Sequence, residues 1–125
     1  MKRFVLESWW LLLYFECVMR FRGFKALHDI VRKQKIHPQT TNAGRSSAEL
    51  CHAVDLACVF YFKQVMCLQR SAATTLLLRR QGWDAEMVIG AQMLPFKSHA
   101  WVEIKGVVVN DKPYMLDIYR VLERC

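Results

Sequence analysis

Gly82 divides this chain into two kinds of pattern. From Cys67 to Gln81 there is no glycine or proline, helix formers dominate (Ala72, Ala73, Leu76 to Leu78, Arg79, Arg80), and Gly82 follows as a residue that commonly ends a helix. Beyond it, Met87-Val88-Ile89-Gly90 and then Ala100 to Val109 are rich in β-branched and aromatic residues, with Gly106 allowing a turn inside the second run. A helix covering a small sheet made from the residues that follow it leaves few architectures for 125 residues. The expectation is α+β, with helices first and an antiparallel sheet second.

The stretch before Cys67 reads as helical. From Trp10 to about Lys35, Leu13, Cys17, Phe21, Phe24, Leu27 and Val31 recur at helical spacing, with charged residues between them and Gly23 dividing the run into two helices. Residues Ile36 to Arg45 carry Pro38, Asn42 and Gly44 and read as a loop. Ser46 with Glu49 fits a capping box opening a helix whose Leu50, Val54, Cys58 and Tyr61 form a stripe. Lys2-Arg3 ahead of Trp9 to Phe15 has the look of a signal sequence. Glu7 and Glu16 interrupt it, no small-residue cleavage site precedes Arg20, and the apolar run falls short of the roughly 20 residues that span a bilayer. No transmembrane segment is therefore expected, and the segment is read as part of the mature protein.

By length the chain is one domain, 1–125, divided into a basic helical segment and loop (1–45) and a catalytic core (46–125). The division comes from charge. Residues 1–45 hold nine Lys/Arg against three Asp/Glu, and residues 46–125 hold nine against eight, so most of the net +7 lies in the first third. On charge alone such a face suits an acidic peptide or protein, nucleic acid or an anionic membrane. The five cysteines, Cys17, Cys51, Cys58, Cys67 and Cys125, are odd in number and lack framework spacing. A disulfide scaffold is not expected, and a reducing, cytoplasmic location is. Cys51, His52, Cys58 and Cys67 do not follow zinc spacing, so no metal or cofactor is expected.

The chemistry-bearing residues lie on either side of Gly82. Cys67 would occupy the first turn of its helix, where unpaired amides and the positive end of the dipole favour thiolate over thiol and could also bind an oxyanion. His99 opens the Ala100 to Val109 segment, where alternation puts His99, Trp101 and Glu103 on one face, the histidine directed toward the helix. A hairpin through Gly106 returns Asp111 beside His99, completing a nucleophile, base and orienting acid. Glu103 and Asp117 are rival acids, but Glu103 stands about 13 Å from His99 along the strand at the usual rise, and Asp117 needs a different turn. Trp101 is either core or cleft wall. Arg70 and Ser71, at i+3 and i+4 from Cys67, either touch the nucleophile's face or hold the helix to the sheet. Gln64 is a candidate oxyanion donor by analogy with papain-like enzymes that carry a glutamine shortly before the cysteine.

The strings CLQRS (67–71), LLLRRQG (76–82), MVIGA (87–91), PFKSHAWVEIKG (95–106) and VVND (108–111) resemble, in order and spacing, the leader peptidases of lasso peptide biosynthesis. The specific motifs cover roughly residues 60 to 115. The chain departs from that family in having Tyr61-Phe62 where Pro-Trp is common, and Ser98 where alanine commonly precedes the histidine. The resemblance implies a transglutaminase-like, papain-related cysteine protease fold, with Cys67 as nucleophile, His99 as general base and Asp111 as orienting acid. It implies cleavage of a precursor's leader, with threonine preferred in the penultimate leader position, and release of an amine that a separate ATP-dependent cyclase closes into a macrolactam. It also implies partners: the precursor peptide, a small separate leader-recognition protein for which residues 1–35 are the candidate docking surface, and the lasso cyclase. No nucleic acid is expected. Two other functions use the same residues, a transglutaminase-type acyl transferase with an amine in place of water, and a non-catalytic binding module.

Overall fold

A computed structural model describes residues 2–34, 47–93, 96–111 and 115–125. The helices come first: α1 (Lys2–Phe21), α2 (Gly23–Lys33), α3 (Ser47–Val59) and α4 (Cys67–Arg80). The sheet follows as β1 (Ala85–Met93), β2 (Phe96–Ile104), β3 (Val107–Val108) and β4 (Arg120–Arg124), with a short α5 (Met115–Ile118) before the last strand. Its order is β3-β2-β1-β4, every neighbouring pair antiparallel. This is the expected α+β arrangement.

The helical half extends further than its sequence pattern suggests. α1 begins at Lys2 rather than near Trp10, because Phe4 and Ser8 are buried and the Ser8 hydroxyl donates to the Phe4 carbonyl at 2.6 Å. Gly23 has φ +84° and separates α1 from α2, as expected for the residue that reverses the chain between them. Leu12, Phe15, Leu27 and Val31 have no exposed surface and join Leu50, Val54, Leu77 and Met87 in one core. The basic first third thus supplies seven of the 21 buried residues of that core. It also presents an exposed line of Leu6, Trp10, Tyr14 and Phe21 along α1. The stripe on α3 is met by buried Leu50 and Val54, but the helix ends at Val59 and Tyr61 packs from the following bend. The loop expected at Ile36 to Arg45 and the cap expected at Ser46 lie outside the described residues.

α4 lies on the sheet, against β2 and β1. Gly82, φ +88°, ends it, and the buried Arg79 fastens its last turn to three other segments. The guanidinium donates to the carbonyls of Val31 in the last turn of α2 and Gln34 just after it, of Ala85 at the start of β1, and of Cys125 after β4. Lys105 and Gly106, both at positive φ (50° and 81°), make the two-residue turn between β2 and β3 that Gly106 suggested. β2 starts at Phe96, however, so His99 lies inside the strand, paired with Gly90, and does not open it.

Both faces of the sheet are covered. Met87 and Val102, a cross-strand pair, belong to the helical core, while the next pair, Val88 and Trp101, packs with Met115 of α5 in a second cluster. β4 and α5, absent from the sequence reading, supply that second layer through Tyr119 and Val121. Alternation therefore does group His99 with Trp101 and Glu103, but on the face opposite the helical core. The contact between His99 and α4 is made at the helix's first residue, Cys67.

Candidate active site

Cys67 is the first residue of α4, after Met66 in an extended conformation (φ −77°, ψ 150°). The turn is held by Gln69, which is 2 % exposed. Its Oε1 accepts from the Met66 amide at 3.4 Å, and its Nε2 donates to the Leu12 carbonyl of α1 at 2.6 Å. α4 is therefore pinned at its start by a buried amide that reads both its own backbone and α1. The half-buried Cys67 thiol is hydrogen-bonded to His99, and the backbones of Ala100 and Leu68 also bond to the sulfur. The His99 bond does most to lower the thiol's pKa, against burial, which raises it.

On its other side His99 donates or accepts at Nε2 with Asp111 Oδ2, 2.6 Å away. With Nε2 committed to the carboxylate, Nδ1 is the nitrogen left for the sulfur. The bond to Cys67, opposed by burial and joined by Asp111, raises the His99 pKa from 6.5 to about 9. A lowered thiol beside a raised imidazole favours a thiolate–imidazolium pair at neutral pH. The ring is also held by stacking. Tyr119 stacks on it at 5.5 Å and Trp101 at 6.2 Å between centroids, the planes inclined by 25° and 26°. Gly90 makes room for that stack, since a Cβ there would stand 2.6 Å from Trp101 Cη2 and 2.8 Å from Tyr119 Cβ.

The other candidates fall into supporting or unrelated positions. Trp101 has no exposed surface, so it is the floor beneath His99 and not a cleft wall. Its indole N–H donates to Glu103 Oε2 at 2.8 Å, and Glu103 Oε1 accepts from Arg124 at 2.8 Å. Glu103 is thereby committed away from His99. Asp117 lies in α5, and its side chain is outside the described residues. Arg70 holds the helix rather than facing Cys67, bonding Asp55 and donating to the Asn110 carbonyl at 3.0 Å. Ser71 is likewise buried, with its Oγ 3.5 Å from Asn110 Nδ2. Gln64 is exposed in the segment before α4 and is not among the residues lining the Cys67 pocket.

Asn110 is the residue that sequence reasoning missed. Its Oδ1 accepts from the Val102 amide at 2.7 Å, taking a ladder position just after β3, while Arg70 and Ser71 hold it from α4. This fixes the backbone immediately before Asp111. Its signal in the sequence is the pair Asn110-Asp111 directly after a β-branched run, where an asparagine side chain can replace a backbone partner. Among the described residues no cluster of His, Cys, Asp and Glu could hold a metal. The pocket at the thiol has about 240 Å³ and is lined by Phe24, His28, Leu68, Ile89, Ser98 and Ala100 together with Cys67 and His99.

A thiol at a helix start, an imidazole on an adjacent strand and a carboxylate behind it, in a helices-then-sheet domain, define the transglutaminase-like class of folds. The chain belongs to that family: the description "Transglutaminase-like superfamily" matches residues 11–124. It is also similar to the Microcin J25-processing protein McjB of Escherichia coli, with 45% identity over 56 residues, which is 45% of this chain and 27% of that relative. The chain thus matches little more than a quarter of the relative's length. No solved structure matches. Among the described residues no helix is long and apolar enough to cross a membrane.

Proposed function

We propose that this protein is a cysteine peptidase that removes the leader from a ribosomally made lasso peptide precursor. The observation that carries the reading is the continuous hydrogen-bonded line from the Cys67 sulfur through His99 to Asp111. Family membership supplies the scaffold for acyl chemistry at a cysteine, and the likeness to a protein named for processing microcin J25 points to a precursor peptide as substrate. In the proposed reaction the Cys67 thiolate adds to the scissile carbonyl, and the oxyanion is met by amides at the start of α4. The carbon–nitrogen bond breaks as His99 gives its proton to the leaving amine, leaving a thioester. Water, deprotonated by His99, then attacks the thioester and releases the leader carboxylate and the thiolate.

Asp111 keeps the imidazole oriented and stabilises its charged form. The freed amine would be the nucleophile for a separate ATP-dependent cyclase. The exposed line on α1 remains the candidate surface for a leader-recognition protein. The test is to incubate protein with precursor, with and without that partner, and to weigh the products. Hydrolysis yields free leader and free core, and Cys67→Ala yields neither. A new isopeptide would assign the site to acyl transfer, and full cleavage by Cys67→Ala would end the mechanism.

A further inference from the structure

A second groove adjoins the Cys67 pocket. It has about 400 Å³, and Phe24 of α2 lines both. Met66, the residue before Cys67, and Gln69, two after it, form one side, and Met19 and Arg20 from the last turn of α1 form another. An extended chain advances about 3.3 Å per residue, so a peptide held at Cys67 reaches this groove within about four residues of its scissile bond.

The acidic group in the groove is already satisfied. Glu16 accepts from Tyr61 Oη at 2.9 Å and from Gln69 Nε2 at 3.5 Å, and its other oxygen is 3.2 Å from Lys63 Nζ. Burial raises the Glu16 pKa, but the bonds from Tyr61, Lys63 and Gln69 outweigh it and lower it, so this carboxylate is charged and fully engaged. The cations around it are not. Lys63 is exposed, and an ammonium has three donors, more than its one contact with Glu16 uses. Arg20 is exposed and has no partner among the described residues, leaving its planar fork of five N–H donors unspent. The dipole of α1 favours a cation in its last turn, but it does not account for two cations and one carboxylate sharing a groove beside Cys67. The groove therefore sets a net positive charge against an apolar wall of Met19, Phe24 and Met66.

We infer that this groove is a substrate subsite for an acidic residue: Arg20 donates to the carboxylate of an aspartate or glutamate side chain, Lys63 adds to the attraction, and Met19, Phe24 and Met66 cover its methylenes. The inference rests on the proposed peptidase reading and adds to it the charge of a residue flanking the bond that is cut. Glutamine matches glutamate in shape and lacks the charge, and lysine reverses it, so the three isolate the electrostatic part of the contact.

The test uses precursor peptides carrying glutamate, glutamine or lysine in turn at each of the four positions on either side of the scissile bond. At one position wild-type protein at low salt should prefer glutamate over lysine by about tenfold in kcat/KM, and over glutamine by about threefold. Both ratios should shrink in about 0.5 M salt. Arg20→Glu should reverse the order and favour lysine. Arg22→Glu, an equal change in net charge at an exposed residue outside the groove, should leave the ratios within about twofold of wild type. A glutamate-to-lysine ratio below about twofold at every position, a ratio unmoved by Arg20→Glu, or one moved as far by Arg22→Glu would overturn the assignment. A second arm does not depend on cleavage. In the Cys67→Ala protein, the Nε–H resonance of Arg20, identified by its loss in Arg20→Gln, should move when glutamate peptide is added and stay with lysine peptide. Movement by neither, or by both alike, ends the inference. If wild type cleaves nothing while glutamate peptide alone still moves the resonance, the peptidase reading fails and the acidic subsite stands. Cleavage without a charge preference keeps the peptidase reading and removes the subsite.

Discussion

The coupling between Cys67 and His99 can be measured from the histidine. The pair raises His99 from 6.5 to about 9, with the Cys67 bond as the largest cause. A rise from 6.5 to about 9 corresponds to about 3 kcal/mol of preference for the imidazolium. At pH 8 a ring with pKa about 9 is roughly 90% protonated, whereas one at 6.5 is about 3% protonated. Cys67→Ala removes the main cause and leaves Asp111 in place, so the His99 midpoint should fall below 9 toward the ordinary value. Histidine-selective NMR titration reads this directly, with His99→Gln identifying the resonance among the four histidines. On the proposed reaction the same pair would set the activity window. Rate should rise as Cys67 loses its proton, below the 9.0 of an ordinary thiol, and fall as His99 loses its own through about 9. A wild-type His99 that titrates at or below 6.5, or a midpoint unmoved by Cys67→Ala, would refute the ion pair.

Other substitutions separate the supporting residues from the reacting ones. Gly90→Ala forces a Cβ to within 2.6 Å of Trp101 and should cost about 1–3 kcal/mol in urea unfolding, with activity falling further as the stack under His99 shifts. Glu103→Gln keeps an acceptor for the Trp101 N–H and loses the charge facing Arg124. It should lower the melting temperature while kcat stays within a few-fold, whereas Asp111→Ala should reduce kcat by at least tenfold. Asn110→Ala leaves the buried Val102 amide without its partner, at a cost of about 1–3 kcal/mol, and should lower kcat by releasing Asp111. Arg79→Met removes a buried donor shared by four carbonyls, of which Val31 keeps the Gln34 amide and Cys125 the Met87 amide, and should cost about 1–3 kcal/mol in the same unfolding assay, without changing the pH profile of the protein that remains folded.

What could be read in advance is what local chemistry decides. The run from Cys67 to Gly82 has one helical solution, and it places the cysteine at the helix start whatever the rest of the chain does. Gly106 with Lys105 likewise turns β2 into β3 on local grounds. Two readings were decided by partners distant in sequence. Gln64 resembles a papain-like glutamine by spacing, but burial selects Gln69, whose amide meets the carbonyl of Leu12 across 57 positions. Trp101 could be core or cleft because alternation specifies a face and not what covers it. The cover is α5 with β4, and β4 joins β1 through an irregularity between Ile89 and Gly90 that no local pattern announces. The same irregularity bears on the site. It lies where β1 pairs Gly90 with both His99 and Val121, and only a residue without a Cβ lets Trp101 and Tyr119 close over that point. The position of the imidazole therefore depends on a strand that pairs with β1 from the far end of the chain, and a change in β4 packing should reach His99 through Tyr119 before it reaches Cys67.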